Sequence, residues 1–291
     1  MRRWNDLDIS KMRMRRKGFP LGVLFLAILC AYSESSEKKP PPIEARQLRW
    51  PIPDQIPLGL AHGEDGSLVV QTEKNLYDFS AKKFILNEGA AKISGFSVCG
   101  KEPVFLSGES LYVTENGKTE KLLEVPLQGA KLVSDSELTY IFGRPENKNP
   151  AIFVYSRKKG SQRILDLPKG LDALTLSGGK VYYSLGPAIF SFRPQEKLVT
   201  EAILPGFERL TSLAADSKEG ILYFSDNRAV YALVPAKGKV VLLFKDVGGE
   251  LEFHGGKLHL LSQNPPALYE IAGLSESLSG EHPPLAELRT E

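Results

Sequence analysis

Side chains able to do acid–base, metal or nucleophile chemistry are few and scattered in this chain. Four histidines occur: His62, His254, His259 and His282. His62 precedes a "GEDG" turn, His254 precedes a "GG" turn, and His259 alternates with the apolar residues of "KLHLL". A zinc centre needs three or four converging ligands. Glu64, Asp65 and Glu252 are the nearest carboxylates in sequence. The spacing does not gather them, so turn-associated surface histidines and no metal ligand are the expectation. There is no Gly-x-Ser-x-Gly elbow. The "SGGK" and "HGGK" stretches read as β-turns rather than as a phosphate loop entering a helix. No catalytic residue is assigned.

The remaining polar candidates are hydrogen-bonding loop residues: Gln71, Arg144, Asn147, Asp226, Asn227, Arg228, Gln263 and Asn264. They sit in short stretches such as "GRPENKNP" (Gly143–Pro150), "SDNR" (Ser225–Arg228) and "SQNPP" (Ser262–Pro266). Amide and guanidinium groups of this kind suit recognition of a ligand or a partner. Asn, Gly, Pro and Ser are also ordinary turn residues. The elements between these stretches decide whether they meet.

Those elements repeat. From Leu58 onward one pattern returns about every 35–42 residues, the mark of a stacked architecture. A short apolar strand is followed by a tight turn: "EDGS", "CGKE", "SDSE", "SGGK", "SKEG" and "HGGK". A second strand and a polar loop come next. A third strand then carries a hydrophobic–aromatic pair: Leu76-Tyr77, Leu111-Tyr112, Ile152-Phe153, Ile189-Phe190, Val230-Tyr231 and Leu268-Tyr269. β-branched and aromatic runs of four to seven residues, split by turn residues, are strands. No helical period is sustained after Tyr32. Six copies of four strands predict an all-β fold, a six-bladed β-propeller of four-stranded antiparallel blades. In such a ring the loops between second and third strands gather at one face, which makes the eight polar residues a candidate binding rim. His62 and His254, in blades one and six, become neighbours.

The sixth copy stops after three strands. "RQLRWPI" (Arg46–Ile52), with Trp50 as an anchor, is the preferred outer strand, and "PLAELRT" (Pro284–Thr290) is the competing one. Either removes an open edge.

The strand rhythm and the "LYFSDNRAVYAL" unit resemble the six-bladed propellers of the NHL, YWTD and TolB-like groups, without the "YWTD" signature itself. The resemblance implies a module that binds proteins, peptides, glycans or small molecules on one face. For the gluconolactonase/regucalcin type it implies a metal-dependent hydrolase or lyase. The binding module is the first expectation, with no cofactor. The hydrolase is the alternative, with Ca²⁺ or Zn²⁺.

The first 33 residues read as a signal peptide. A basic segment (Arg13–Lys17) precedes a 14-residue apolar run (Phe19–Tyr32), shorter than the 20 or so residues that span a bilayer. Met12 or Met14 fits as the true start. Cleavage after Ser33, lipidation of Cys30 in "LAILC" and an uncleaved anchor are competing outcomes, and Leu29 departs from the lipobox pattern. All three place the body outside the cytoplasm, in the periplasm, on the outer membrane or secreted, with membrane contact only through an N-terminal lipid or the uncleaved signal. Residues 34–46 read as a charged, Pro-rich linker, and 47–291 as the propeller.

Of 37 Lys/Arg and 35 Asp/Glu, residues 1–33 hold seven and two, so the body carries 30 basic and 33 acidic residues. A mildly acidic body argues against nucleic acid. The densest basic cluster, "RKKGSQR" (Arg157–Arg163), reads as solvated edge protection. Cys99, in "GFSVCGK", reads as a buried structural thiol. A monomer is expected.

Overall fold

The computed structural model describes residues 43–52, 54–73, 75–86, 92–279 and 287–289. Six antiparallel blades stand in a ring. Blade one is β2 (Gly59–His62), β3 (Leu68–Gln71), β4 (Leu76–Asp78) and β5 (Lys83–Phe84). Blade two is β6 (Ile93–Cys99), β7 (Glu102–Ser107), β8 (Ser110–Glu115) and β9 (Lys118–Glu124). Blade three is β10 (Leu127–Ser134), β11 (Thr139–Pro145), β12 (Ala151–Ser156) and β13 (Gly160–Asp166). Blade four is β14 (Ala173–Ser177), β15 (Lys180–Leu185), β16 (Ala188–Phe192) and β17 (Val199–Ile203). Blade five is β18 (Ser212–Asp216), β19 (Ile221–Ser225), β20 (Ala229–Val234) and β21 (Lys239–Lys245). The inner strands β2, β6, β10, β14 and β18 touch in sequence, and β22 (Gly249–His254) closes the circle against β2.

Blade six is β22, β23 (Lys257–Gln263), β24 (Pro266–Ala272) and, from the other end of the chain, β1 (Glu44–Leu48). β1 pairs antiparallel with β24, from Glu44 opposite Ala272 to Leu48 opposite Leu268. The closing strand is therefore N-terminal. It lies slightly earlier than Arg46–Ile52 and begins inside the stretch read as linker. The tail also takes part: β25 (Glu287–Arg289) lies parallel on the outside of β1. The two candidate strands are used together, one as the clasp and one as its cover. Trp50 sits just past the clasp, with its ring edge-on to Tyr77 at 5.8 Å and its indole N–H donated to the Gln55 carbonyl at 2.7 Å.

The recurring pairs explain why six unequal copies pack alike. The aliphatic member is at most 1% exposed in every blade. In blades two, four and five the aromatic member stacks on an aromatic directly across from it on the second strand. These pairs are Phe105–Tyr112 and Tyr183–Phe190, each at 5.4 Å, and Phe224–Tyr231 at 5.1 Å. Such pairs contribute about 0.5–1.5 kcal/mol beyond burial. The outer strands β9, β13 and β17 are mostly exposed, as sheet edges facing water should be.

Among the described residues, two short helices depart from the all-strand reading. A 3-10 turn spans Pro235–Lys237, and α1 spans Leu274–Ser279. α1 buries Leu274 and Leu278 against the cluster shared by blades five and six. One i, i+4 pair in six residues is too short to register as a period. Cys99 is half-buried at the end of β6, and burial pushes its thiol up. In the basic cluster, Arg157 bonds Glu102 at 2.5 Å and Arg163 bonds Asp166 at 2.5 Å, both at the exposed edge.

Candidate functional site

The inner strands begin at one mouth of the ring, around a cavity of about 800 Å³. Its glycine walls come from Gly59, Gly95, Gly248 and Gly249. Glycine is required at two of these by crowding. A Cβ on Gly249 would lie 2.1 Å from the Leu261 carbonyl oxygen, and one on Gly248 would lie 2.6 Å from that of Asp226. The polar lining includes Gln71, Asn227, Gln263, Asn264, Lys131 and the two carboxylates Asp246 and Glu250.

These groups are held in different ways. Gln71 is buried at the end of β3 and donates its amide N–H to the Ile93 carbonyl at 3.0 Å. Gln263 donates to the Pro57 carbonyl at 3.2 Å. Lys131, on β10, donates Nζ to the Asp172 carbonyl at 2.6 Å, and Arg209 pairs with the Asp172 carboxylate at 2.7 Å. Burial lowers the Lys131 ammonium despite the carboxylate of Glu250.

Glu250 and Glu252 are alternate residues of β22 and share one side of the strand. Glu250 lines the mouth, and both line a deeper space of about 80 Å³ with His62, Ser97, Ser134, Thr175 and Ser212. Burial raises Glu250 to about 7, opposed by Lys131 and by the backbone N–H of Leu60. Glu252 rises to about 8 through burial first and the neighbouring Glu250 second, opposed by the backbone N–H of His62. Displaced carboxyl groups in a cleft are the usual marks of a functional site.

Around the far turns of blades one and six the histidines do meet. The His62 ring stacks on His254 at 5.1 Å and contacts His259 at 4.7 Å. His259 is 6% exposed and its Nε2 lies 3.6 Å from Glu270. The expectation of surface histidines is therefore corrected: His259 is buried, and Nδ1 of both His62 and His259 is buried without a partner. Burial, then His259 and His254, hold His62 down to about 3, so it is neutral at physiological pH. Among the described residues no three His, Cys, Asp or Glu side chains are arranged to hold a metal ion. His282 and Cys30 lie outside the described residues.

Of the eight rim residues, Gln71, Asn227, Gln263 and Asn264 line the mouth. Arg144 and Asn147 do not. They face a separate shallow surface with Lys148, Asn149, Arg163 and Asp166. Asp226 and Arg228 are also outside the mouth. Asp226 accepts the backbone N–H groups of Arg228 and Ala229, each at 2.8 Å, which closes its own turn. Replacing Asp226 by Ala is expected to cost about 1 kcal/mol. Arg228→Ala should change stability by less than about 0.5 kcal/mol. Denaturant midpoints of the two variants check this, and equal losses would deny the turn its role. Lys131, Glu250 and Glu252 were not legible as site residues. The signal for them was charge on otherwise apolar inner strands, in "AKLV" and "GELEF".

The class is that of six-bladed β-propellers. No known protein family matches the sequence, and no curated protein matches it. Solved structures do share the fold. A gluconolactonase of Xanthomonas campestris, XC5397, is 15% identical with a TM-score of 0.59, covering 75% of this chain and 86% of that one. A luciferin-regenerating enzyme is 14% identical with a TM-score of 0.59, over 80% and 96%. A chain of a nidogen/laminin complex is 13% identical with a TM-score of 0.56, over 72% and 84%. At these identities the likeness concerns the fold alone, and folds of this kind host unrelated functions.

Proposed function

We propose that this chain is an extracytoplasmic binding propeller whose channel mouth takes a small polar ligand. The observation that carries the reading is the cavity of about 800 Å³, within the size range of ligand pockets, lined between glycine walls by side-chain amides, one ammonium and the two carboxyl groups of Asp246 and Glu250. Rigid blades would fix the site, and binding would come from hydrogen bonds and shape. The signal-like residues 1–33 and the charged linker support export, with lipidation at Cys30 or cleavage after Ser33 as the two forms of it.

Titration of the purified full chain with mixtures of small polar metabolites, followed by ligand-observed NMR, tests the reading. Signals that broaden with the wild type and recover in Gly59→Trp, which fills the mouth, are expected. Identical signals with both proteins would sink it. Chelation is expected to leave both binding and the thermal midpoint unchanged. Loss of stoichiometric Ca²⁺ or Zn²⁺ together with a hydrolytic activity would favour a metal-dependent hydrolase instead.

A further inference from the structure

The space directly above Gly59 is where the mouth becomes selective. A Cβ at Gly59 would lie 3.3 Å from Oε1 of Gln71, 3.3 Å from Oε2 of Glu250 and 3.2 Å from ring carbon Cε1 of Phe96. Two oxygens from two different blades and one apolar ring edge thus crowd the position a side chain at residue 59 would take, so both oxygens border the cavity beside the bare Gly59 backbone. All four residues line the cavity.

Both oxygens are hydrogen-bond acceptors. Gln71 is only 8% exposed and commits its N–H to the Ile93 carbonyl, and among the described residues no donor reaches its Oε1. Glu250 receives the backbone N–H of Leu60 and feels the charge of Lys131 across the channel. The Lys131 Nζ, however, is donated to the Asp172 carbonyl. Behind Glu250 stands a second carboxyl, Glu252, which burial and then the charge of Glu250 raise to about 8. A buried carboxylate is stabilised most by a cation that also supplies N–H donors.

We propose that the mouth recognises its ligand by a protonated amine, held by Oε1 of Gln71 and Oε2 of Glu250 over Gly59. The carbon next to the nitrogen would rest against Phe96. An alcohol satisfies the two acceptors without supplying charge, and a carboxylate places a further negative group beside Glu250. This inference rests on the mouth being a binding cavity and adds the chemical class of what enters it.

Three probes of one shape separate the alternatives: phenethylamine, 2-phenylethanol and phenylacetate, titrated calorimetrically into the full chain at pH 8. Phenethylamine is expected to bind about 10- to 100-fold more tightly than 2-phenylethanol, the size of a charge-assisted hydrogen bond. Phenylacetate is expected to be the weakest. Glu250→Gln should remove the preference for amine over alcohol while leaving alcohol binding in place. Gly59→Ala, at a residue with no left-handed φ, puts a methyl group at the convergence point and should weaken the amine about tenfold. Arg228→Ala, outside the cavity, is the matched control. Equal affinity for amine and alcohol, or a preference that survives Glu250→Gln, overturns the amine inference and leaves the cavity reading intact. Failure of all three probes at millimolar concentration overturns both.

Discussion

Replacing Ala45 by Asp is expected to destabilise the ring by about 3–5 kcal/mol, the usual consequence of burying an unpaired charge. Ala45 is 5% exposed as the second residue of the clasp strand β1, opposite the fully buried Ile271. It belongs to the cluster that also holds Leu243, Leu258 and Leu274 of blades five and six and α1. An aspartate there would either stay buried and unpaired or lift β1 from β24, and the second course exposes the edge of blade six. The thermal midpoint should fall by roughly 10 °C for a domain of this size. Arg46→Ala, one position along, is the informative comparison. Arg46 bonds Glu270 at 3.2 Å with its side chain 61% exposed. Exposed pairs contribute about 1 kcal/mol or less. A clasp held by apolar burial predicts a large loss at residue 45 and a small one at residue 46. Equal losses would assign the clasp to the ion pair, and no loss at either would mean that β1 does not close the ring.

Glu252→Gln is expected to stabilise the protein at pH 8 and to do little at pH 5. Burial and Glu250 raise Glu252 from its ordinary value of 4.5 to about 8. Between those values the folded chain keeps a proton that the unfolded chain has lost. Stability therefore falls as pH rises through this window, since the folded state binds more protons there. The displacement corresponds to about 5 kcal/mol if taken whole. Glu252 is only half-buried where it lines the inner space, so a gain of about 2 kcal/mol at pH 8, or roughly 5 °C, is the expected size. Glutamine mimics the protonated carboxyl in shape and has no charge to desolvate. Thermal melts from pH 5 to pH 8 check the sign. A gain that is constant across that range would show that ionisation is not its cause.

How the sequence displayed this molecule depended on what each residue contributes to a pattern. The six aliphatic–aromatic pairs were readable because they fill equivalent spaces between a second and a third strand, and they carried the blade count with them. The meeting of His62 and His254 followed from ring closure alone. The burial of His259 did not, because it depends on β23 and β24 pairing it with Glu270. Asp226 looked like a ligand-binding residue because the hydrogen-bonding power that serves ligands also serves turns. Arg144 and Asn147 share a loop class with Asn227, but Arg144 is still in β11 and Asn147 sits in the β11–β12 connection, and both face a surface apart from the channel mouth. Glu250 and Glu252 were hidden for another reason. Polar residues alternating on a strand ordinarily face solvent, and only the innermost strand of a closed ring turns that side toward a channel. Gly59 was the least legible of all, since its contribution is the absence of a side chain at a point defined by Gln71, Phe96 and Glu250.

The clasp also fixes an order of events during synthesis. Arg46 and Glu270, paired across β1 and β24, are 224 positions apart. At about 5–20 residues per second, β1 is finished roughly 10–45 s before its partner exists. Through that interval the first strand to be translated has no place to go, and blade one stands without its sixth neighbour. The strand that completes the ring is made first and used last. A nascent chain of this kind would need its early segment kept from pairing elsewhere, a task that the short length of β1, five residues carrying Glu44 and Arg46, makes easier.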